Sequence, residues 1–368
     1  MTAGSRPSTV ANGEIGLVDA AGWSPRAWDD LAVRSANGDA FQSHAWGEAK
    51  DRLGWTILRY AVELDGRPVA VCSIQEGPLV RRPGLRRLRV HYAPRGPILL
   101  EPGAPIAAIA LAGLRRLARQ RGSVALTIDP AWDEGGVTAS ALGPAGFHVA
   151  RREVQVSRTG MLVPLQPTDD AQHALLGDST ARNLNKARRS GVGAERVDLS
   201  DPVVREAALE EFFEMHSATG RREGFLVRSR DYELDQWRRL GETGVASLWF
   251  AGVDRRDNGV LLLHCGRTLL SFAAGSRDGA DLHRTRANHL LQWEIIRWAA
   301  GAGFSHYDLG GVDTWSAPGI PRDARHPLWN LYEFKRGWGA EGVLRIRAHE
   351  YTPNPLLGLG WRLARRFR

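Results

Sequence analysis

The sequence predicts an α/β protein made of two similar domains, each with a mixed central β-sheet. The chain has 368 residues, more than the size at which a single hydrophobic core usually stops growing. One order of elements occurs twice: a hairpin, a further strand, a helix that ends at glycine, and a strand that ends at aspartate. A stretch rich in proline and polar residues, near residues 160 to 178, separates the two copies and indicates the domain junction.

The first copy begins with the hairpin AVELDGRPVAVCSI, in which Asp65-Gly66 is the strongest kind of short turn signal. After HYAPRGPILL, apolar residues at helical spacing predict a helix over PIAAIALAGLRRLARQRG, with Gly122 at its C-terminal end. The run SVALTIDP then predicts a buried strand that stops at Asp129-Pro130.

The second copy repeats this order with different residues. SLWFAGVDRRDNGVLLLHCG predicts two strands around an Asn258-Gly259 turn, and LLSFAAGS predicts a third. A helix follows over RANHLLQWEIIRWAAGAG and ends at Gly301 or Gly303, and the strand FSHYDLGG stops at Asp308. Helices that return the chain to the sheet between strands imply a mixed sheet in each half.

These elements predict a first domain over residues 1–165 and a second domain over 166–350. Residues 351–368 are expected to complete the first domain. The tail LLGLGWRLARRFR combines apolar side chains with four arginines. Such a segment either docks on its own first domain, which we favour, or lies on an anionic membrane surface.

Composition predicts a cytoplasmic protein with an anionic partner. The formal net charge is +8 and the sequence pI is about 10.0, which favours a polyanionic or phosphorylated partner. No run of 18 apolar residues occurs, and the first residues lack a hydrophobic signal core. Cys72 and Cys265 stand alone in strand-like runs, so we expect core cysteines and no bound metal.

Lysine is rare in this chain. Only Lys50, Lys186 and Lys335 occur among 49 basic residues. Lysine is a compact point charge that burial can deprotonate, whereas arginine stays charged and prefers a bidentate partner. The three lysines are therefore candidates for positions where arginine cannot serve, although chance survival under an arginine-biased composition explains any one of them equally well.

A basic helix is predicted over DSTARNLNKARRSG, with Ser179 or Thr180 as its N-cap. Arg182, Lys186 and Arg189 share one face of this helix at spacing i, i+4, i+7. A phosphate-rich ligand or an RNA backbone would relieve the repulsion among these charges. A solvated basic face is the alternative.

The end of this helix also matches the pattern R-x-x-G-x-G at residues 188–193, which forms the pyrophosphate loop of acetyl-CoA-dependent acetyltransferases. Such a loop follows a strand and opens a helix, whereas here a helix precedes it and a strand-like AERVDL follows. The order of elements therefore argues against an acetyl-CoA site.

Two further segments combine basic residues with aromatic neighbours. In AFQSHAWGEAKDRLGW, Trp46 and Lys50 lie one helical turn apart, which ordinary packing of the lysine stem over apolar surface also explains. In HSATGRREGF, Arg221 and Arg222 stand beside a glycine-aromatic pair and form a candidate anion clamp.

The most distinctive segment is HPLWNLYEFKRGWGAE near the end of the chain. It places Lys335 among Tyr332, Phe334 and Trp338 beside glycines. A lysine held on a glycine-rich turn can approach the phosphates of a ligand closely, and its charge would be little screened there. An edge strand with a turn accounts for the aromatic residues but not for the lysine.

The string LYEFKRGWG closely resembles the F-K-x-G-[FW]-G signature of the Fem family. These are aminoacyl-tRNA-dependent transferases that add amino acids to peptidoglycan precursors. Further family blocks follow one order from about residue 40 to 340: QSHAWGEAK, TIDP, ARNLNKARRSGV, TGRREGF and ANHLLQWEIIRWAAGAGFSHYDLGG. The resemblance implies two tandem acetyltransferase-like (GNAT) domains. No long charged helical hairpin interrupts the second domain, so the chain resembles the short, FemX-like form.

The resemblance also implies roles for individual residues. Lys50 and Arg222 match residues that bind the phosphates of the muropeptide substrate, and Asp129 matches an aspartate of the acceptor site. Phe334 and Lys335 match the pair that contacts the 3′ end of charged tRNA and stabilises the transition state. Other residues of the family blocks have less defined roles: Arg182, Lys186 and Asp308.

The expected activity is transfer of an amino acid from aminoacyl-tRNA to an amine of lipid II or UDP-MurNAc-pentapeptide, without ATP, metal or other cofactor. Asp129 and Asp308 are candidate catalytic groups for removing the amine proton, or strand-end residues that cap helices. Contacts with substrate are expected from Trp46, Lys50, Arg221, Arg222, Tyr332 and Trp338. Contacts with tRNA or phosphate are expected from Arg182, Lys186 and Arg189.

Other functions remain open from the sequence. The same chemistry could act on an antibiotic or another small-metabolite amine, and an acyl-CoA-dependent transferase or a non-catalytic RNA-binding protein is a further alternative. The expected partners are aminoacyl-tRNA, the acceptor amine and a peripheral contact with the inner membrane surface, and no DNA.

Overall fold

Two β-sheets, one in each half of the chain, organise the computed structural model, which describes residues 14–79, 88–279 and 281–364. The strands of the first sheet are β1 (Ile15–Asp19), β2 (Thr56–Leu64), β3 (Arg67–Pro78), β4 (Arg89–Ala93), β5 (Ile98–Leu99), β6 (Ser123–Ile128), β7 (His148–Val149) and β15 (His349–Tyr351). They lie in the order β1-β2-β3-β4-β6-β15-β7, with β5 beside β3. Neighbouring strands are antiparallel except for β4 and β6, which are parallel.

The second sheet is built in the same mixed manner. Its strands are β8 (Thr159–Pro164), β9 (Gly193–Arg196), β10 (Ala246–Gly252), β11 (Asn258–Cys265), β12 (Thr268–Ser276), β13 (His306–Asp308) and β14 (Glu341–Leu344). They lie in the order β14-β8-β13-β12-β11-β10-β9. The parallel pair here is β12 with β13.

Helices connect and cover these strands. The α-helices are α1 (Pro25–Ala32), α2 (His44–Asp51), α3 (Ala104–Gln120), α4 (Asp169–His173), α5 (Asp178–Arg189), α6 (Pro202–Glu223), α7 (Arg230–Glu242), α8 (Leu282–Thr285), α9 (Ala287–Gly301), α10 (Trp329–Arg336) and α11 (Pro355–Ala364). In the described part of the chain, no helix combines the length and the apolar character that a membrane crossing requires.

Each half of the chain contains one pair of parallel strands joined through a helix. The connection from β4 to β6 contains α3, and the connection from β12 to β13 contains α9. Each helix is followed by a glycine in the left-handed region, Gly122 (φ 60°) and Gly303 (φ 86°), as expected for a C-terminal cap. The predicted mixed α/β fold with a repeated order of elements is confirmed.

The first predicted hairpin is confirmed and the second is displaced. Asp65 (φ 51°) and Gly66 (φ 76°) form the turn between β2 and β3, which needs positive φ at both positions. The prediction of a turn at Asn258-Gly259 was wrong, because both residues lie inside β11. The chain reverses just before them, where Asp257 N donates to Ala251 O at 2.9 Å.

Gly259 allows two aromatic rings to pack directly against the backbone of β11. A Cβ atom added to Gly259 would lie 2.8 Å from the Phe250 ring and 3.1 Å from the Phe212 ring. Separations this short would force the rings to move. The local turn signal was therefore overridden by the space that two buried aromatic rings require.

The segments around the basic helix also differ from expectation. The N-cap of α5 is Gly177, not Ser179 or Thr180, and Gly177 makes no side-chain cap. Its backbone N donates to Gly337 O at 2.9 Å. Lys335, expected on a glycine-rich turn or an edge strand, lies on α10. The hydrogen bond between Gly177 and Gly337 thus joins the start of α5, which has no side-chain cap, to the end of α10.

The chain crosses between the sheets twice. Strand β8, at Thr159–Pro164, pairs with β13 and β14 of the second sheet, so the change of sheet lies before Thr159. Strand β15 returns to the first sheet beside β6. The following helix, α11, contacts β6, so the last described residues pack on the first domain.

A hydrophobic cluster spans both domains and holds them together. Trp28 and Val71 of the first half belong to the same buried cluster as Phe212, Trp237 and Leu261 of the second. Helix α2 contacts α7 across the boundary. Because buried side chains pack closely, this cluster fixes the relative position of the two domains and of the cleft between them.

We predict a large effect on stability at Gly275 in β12. A Cβ atom there would lie 2.5 Å from the backbone N of His216 in α6, and backbone cannot yield as a flexible side chain can. Gly275→Ala should therefore destabilise the fold by about 1–3 kcal/mol, seen as a lower urea midpoint. Gly193→Ala is the matched control, since nothing lies within 4 Å of its added Cβ. Equal midpoints for the two variants would contradict this prediction.

Candidate active site

A cleft of about 1190 Å³ lies between the two domains. Residues from distant parts of the chain line it, including Asp39, Trp46, Lys50, Tyr92, Arg95, Arg228, Tyr232, Gly310, Gly311 and Arg345. Clefts at domain boundaries that combine apolar walls with a few convergent charged groups are common ligand sites.

Lys50 lies on one wall of the cleft, held between two aromatic rings. Its Nζ lies 4.5 Å from the centroid of Trp46 and 4.9 Å from that of Tyr232, and it donates a hydrogen bond to the Tyr232 hydroxyl. Burial, together with the nearby charge of Arg228, lowers the pKa of Lys50 to about 8. The helical spacing predicted from the sequence thus places Trp46 and Lys50 together.

A second cation lies beside Lys50. The Arg228 guanidinium lies 5.2 Å from the centroid of the same Tyr232 ring. Two positive groups beside one aromatic side chain repel each other and favour an anionic ligand between them. Burial raises the pKa of the neighbouring Glu233, although Arg228 and Lys50 oppose that rise. Lys50 and Arg228 therefore form a candidate anion clamp.

Arg221 and Arg222, the predicted clamp, lie elsewhere. They occupy the last turn of α6, where Arg222 Nη2 donates to Ser276 Oγ at 2.7 Å and Arg221 pairs with Asp278. Neither lines the cleft. Sequence reasoning missed Arg228, although the same basic segment, GRREGFLVRSRDY, contains it with Tyr232 four residues later.

Asp308 organises the opposite wall. Its Oδ1 accepts hydrogen bonds from Met161 N at 3.1 Å and Gly310 N at 2.9 Å, and its Oδ2 pairs with Arg345 at 3.0 Å. Both carboxylate oxygens are therefore occupied. These bonds fix the backbone of Gly310 and Gly311, which form the surface of the cleft.

Lys335 lies directly behind this glycine loop. It is buried, with 7% of its surface exposed, and its Nζ donates to Gly311 O at 2.8 Å. Burial lowers the pKa of Lys335 to about 8, and Asp308 opposes this change. A Cβ atom on Gly310 would lie 3.7 Å from Nζ, so two residues without side chains separate the ammonium from the cleft.

Asp129 also lies behind the cleft surface and is almost fully buried. Its Oδ2 accepts from the Tyr92 hydroxyl and its Oδ1 from Arg95 N, both at 2.7 Å. Burial raises the pKa of Asp129, while the Arg95 charge opposes the rise. Tyr92 and Arg95 themselves line the cleft, so Asp129 positions the Tyr92 side chain and the Arg95 backbone at its surface.

The aromatic residues around Lys335 differ in exposure. Trp338 is fully buried and packs 5.9 Å from His289, so a ligand cannot reach it. Phe334 is half-buried and meets His289 edge-on at 5.6 Å. Tyr332 is half-buried and packs against Trp329 at 5.4 Å. Phe334 and Tyr332 therefore remain accessible to a ligand on the α10 surface, whereas Trp338 belongs to the core.

His289 links this segment to the basic helix. Its Nε2 lies 3.3 Å from Asn183 Nδ2 on α5, and burial lowers the pKa of His289 to about 4, which keeps the ring neutral near pH 7. On the same helix Arg182 and Arg189 are exposed and Lys186 is half-buried. None of the three forms an ion pair with an acidic residue in the described part of the chain. The structure thus connects Phe334 through His289 to Asn183 on α5, the helix that carries the basic face.

The charged clusters do not resemble a metal centre. Across residues 14–79, 88–279 and 281–364, no group of three or more histidine, cysteine, aspartate and glutamate side chains has the arrangement that holds a metal ion. The polar groups of the cleft include arginine, lysine and tyrosine side chains, which suit a phosphorylated ligand.

Comparisons with known proteins bear on the fold of the chain. A model of the acetyltransferase (GNAT) domain family matches residues 178–336. Lipid II:glycine glycyltransferase from Staphylococcus aureus is 24% identical, over 88% of this chain and 91% of that protein. The crystal structure of FemX superposes with a TM-score of 0.75 at 21% identity, covering 91% of this chain and 98% of that chain. The chain is a homologue of the glycyltransferase and shares the fold of FemX. The resemblance to the Fem family and the predicted GNAT-type fold are thereby confirmed.

The GNAT match covers the FemX-like segments that carry the basic helix, the glycine loop and Lys335. Within it, the R-x-x-G-x-G pattern at residues 188–193 spans the C-terminal end of α5 and the start of β9. The negative end of the helix dipole points at this loop, which disfavours a pyrophosphate. The structure therefore agrees with the order of elements predicted from the sequence.

Proposed function

We propose that this protein transfers an amino acid from aminoacyl-tRNA to an amine of a lipid-linked peptidoglycan precursor. The observation that carries the proposal is that Lys50 and Arg228 face the same cleft as the glycine loop in front of Lys335. An acceptor phosphate and a reacting centre can therefore occupy one site. The relative from Staphylococcus aureus is named for glycine transfer to lipid II, which supports this class of acceptor.

The acceptor binds through its phosphates in this proposal. Lipid II and nucleotide-linked muropeptides both carry a pyrophosphate, which two cations can clamp by charge-assisted hydrogen bonds. The aromatic rings of Trp46 and Tyr232 hold Lys50 in place for this contact. A lipid-linked acceptor would bring the protein to the inner membrane surface as a peripheral protein.

The donor approaches from the second domain. The exposed face of α5 offers Arg182, Lys186 and Arg189 to a phosphate backbone. Phe334 contacts His289, which in turn reaches Asn183 on the same helix. A terminal base stacked on Phe334 or Tyr332 would place the ester next to the glycine loop, since base stacking on aromatic side chains tolerates any base.

An amino acid esterified to tRNA is already activated, so the step needs no ATP. The enzyme supplies proximity and control of charge. As the amine attacks, negative charge develops on the ester oxygen, and a preorganised positive group stabilises it most effectively in a site that excludes water. Lys335 has the burial and the charge for this role.

Transfer is tested by incubating the protein with a mixture of charged tRNAs and lipid II in detergent, with and without ribonuclease. We expect an aminoacylated lipid II, detected by mass spectrometry, that disappears when ribonuclease is added first. UDP-MurNAc-pentapeptide and a panel of small amines serve as alternative acceptors, and acyl-CoA as an alternative donor.

The outcomes distinguish the proposed reaction from reactions with another donor or another acceptor. A product formed only from acyl-CoA would refute the tRNA-dependent reaction. A ribonuclease-sensitive product on small amines but not on either muropeptide would refute the peptidoglycan acceptor while retaining the donor.

A further inference from the structure

The amine that attacks the ester is an ammonium ion at neutral pH and must lose a proton first. Asp129 and Asp308, the two carboxylates that the sequence offers for this task, are unsuited to it. Each accepts hydrogen bonds on both oxygens, and Asp129 does not line the cleft. The proton acceptor must be sought among other groups in the cleft.

Asp39 has the geometry that these two lack. It precedes the short 3-10 helix Ala40–Gln42 and caps it, with Oδ1 accepting from Phe41 N at 2.9 Å. Its other carboxylate oxygen has no hydrogen-bond donor among the described residues. Asp39 lines the cleft, together with Gly310 and Gly311, so its carboxylate and the glycine loop belong to the same cavity.

Charged groups from several elements surround Asp39. Arg95, between β4 and β5, and Arg345, directly after β14, favour its ionised form, whereas Asp129 opposes it. Burial outweighs the two arginines and raises the pKa of Asp39 to about 6. The remaining close group is Cys265, whose Sγ accepts from Ala40 N and whose own pKa burial raises, so the thiol stays neutral. A carboxylate with this pKa is ionised at pH 7 and is a stronger base than an exposed aspartate.

We propose that Asp39 accepts the proton of the acceptor amine in the transfer reaction. The inference rests on the proposed function and adds a catalytic residue to it. Asp39 takes one proton from the ammonium, and the amine nitrogen then attacks the ester carbon of the aminoacyl-tRNA. A carbon–nitrogen bond forms and the carbon–oxygen bond to the ribose breaks. The departing ribose oxygen takes the second proton from the nitrogen, and Asp39 releases its proton to solvent.

The test compares Asp39→Asn with the wild-type protein in the lipid II assay between pH 5 and 8. Asparagine caps helices about as well as aspartate, so the fold should persist. We expect kcat to fall by about 10²–10⁴-fold, the usual contribution of a general base. The wild-type loss of activity below about pH 6 should be absent in the variant. Asp30→Asn, an exposed carboxylate paired with Arg34, is the matched control and should match the wild-type profile.

Thermal unfolding gives a readout independent of catalysis. A raised pKa means that the folded state binds more protons than the unfolded state between the two pKa values, so stability falls as pH rises from about 4 to 6. Removing the charge should therefore raise the melting temperature of Asp39→Asn at pH 7.5 relative to the wild type. A purely structural cap would instead lose stability.

The outcomes separate the two proposals. Wild-type turnover and an unchanged acid limb in Asp39→Asn would overturn the role of Asp39, whatever the melting temperature. A wild-type protein that forms no ribonuclease-sensitive product would refute the transferase function before any variant is compared. In that case, thermal unfolding still tests Asp39. If Asp39→Asn melted at a lower temperature than the wild type at pH 7.5, the claim that Asp39 is a buried, ionised carboxylate that costs stability would be wrong.

Discussion

Replacing Lys335 with glutamine should lower kcat by about 10²–10³-fold, the usual cost of losing one group that stabilises developing negative charge. Glutamine can still donate a hydrogen bond to Gly311 O, so the loop should keep its position while the positive charge is lost. Lys335→Arg should also lose most activity, because a planar guanidinium cannot replace a compact ammonium in a buried site. Single-turnover rates with both substrates saturating would measure the effect.

The pH dependence of kcat provides a second test of Lys335. Its pKa of about 8 means that the ammonium loses its proton above that pH, so wild-type activity should fall as pH rises beyond 8. This basic limb should be absent in Lys335→Gln. Arg336→Gln is the control, since Arg336 is exposed and pairs with Glu333 on the same helix. Wild-type turnover in Lys335→Arg would contradict the assignment.

Removing the anion clamp should weaken acceptor binding with little effect on the chemical step. A hydrogen bond to a charged group contributes about 1.5–3 kcal/mol, so Lys50→Met and Arg228→Met should each raise KM for lipid II by about 10–100-fold. The double variant should lose less binding free energy than the two single variants lose together, because both side chains hold the same ligand group. Steady-state kinetics at fixed aminoacyl-tRNA would measure KM and kcat separately.

Arg222→Met discriminates the two assignments of the clamp. The family resemblance matched Arg222 to the phosphate-binding arginine, whereas the structure places Arg228 beside Lys50 and Arg222 against Ser276. We therefore expect KM to change little in Arg222→Met. A rise in KM equal to that of Arg228→Met would show that the sequence-based assignment was correct.

Local signals predicted most of the secondary structure. The Asp65-Gly66 turn, the helices α3 and α9 and the strands that follow them depend on hydrophobic periodicity and on backbone preferences of single residues, which act over a few positions. The turn predicted at Asn258-Gly259 was wrong because this dipeptide occurs both in turns and where a glycine is needed for close packing. Only the positions of Phe212 and Phe250, far apart in sequence, show which one applies.

The sequence predicted which segments form the candidate site better than it predicted the role of each residue in them. The resemblance identified the segments that carry Lys50, Asp129, Asp308 and Lys335, and the structure places all four at or directly behind the cleft. It could not show that Trp338 is buried in the core, since aromatic residues beside a lysine suit either a surface or an interior. Nor could it indicate Asp39, which no motif marks.

The sequence already determined the order of the main strands and helices, the basic helix face and the resemblance to the Fem family, because each depends on patterns within short segments. Which groups a ligand can reach was decided only by the tertiary structure. Asp129 accepts hydrogen bonds from Tyr92 and Arg95, and both oxygens of Asp308 accept bonds that include those from Met161 and Arg345. The fold brings these partners from distant positions, whereas one oxygen of Asp39 has no donor among the described residues. The availability of a carboxylate depends on its hydrogen-bond partners, and those partners are fixed by packing between the domains.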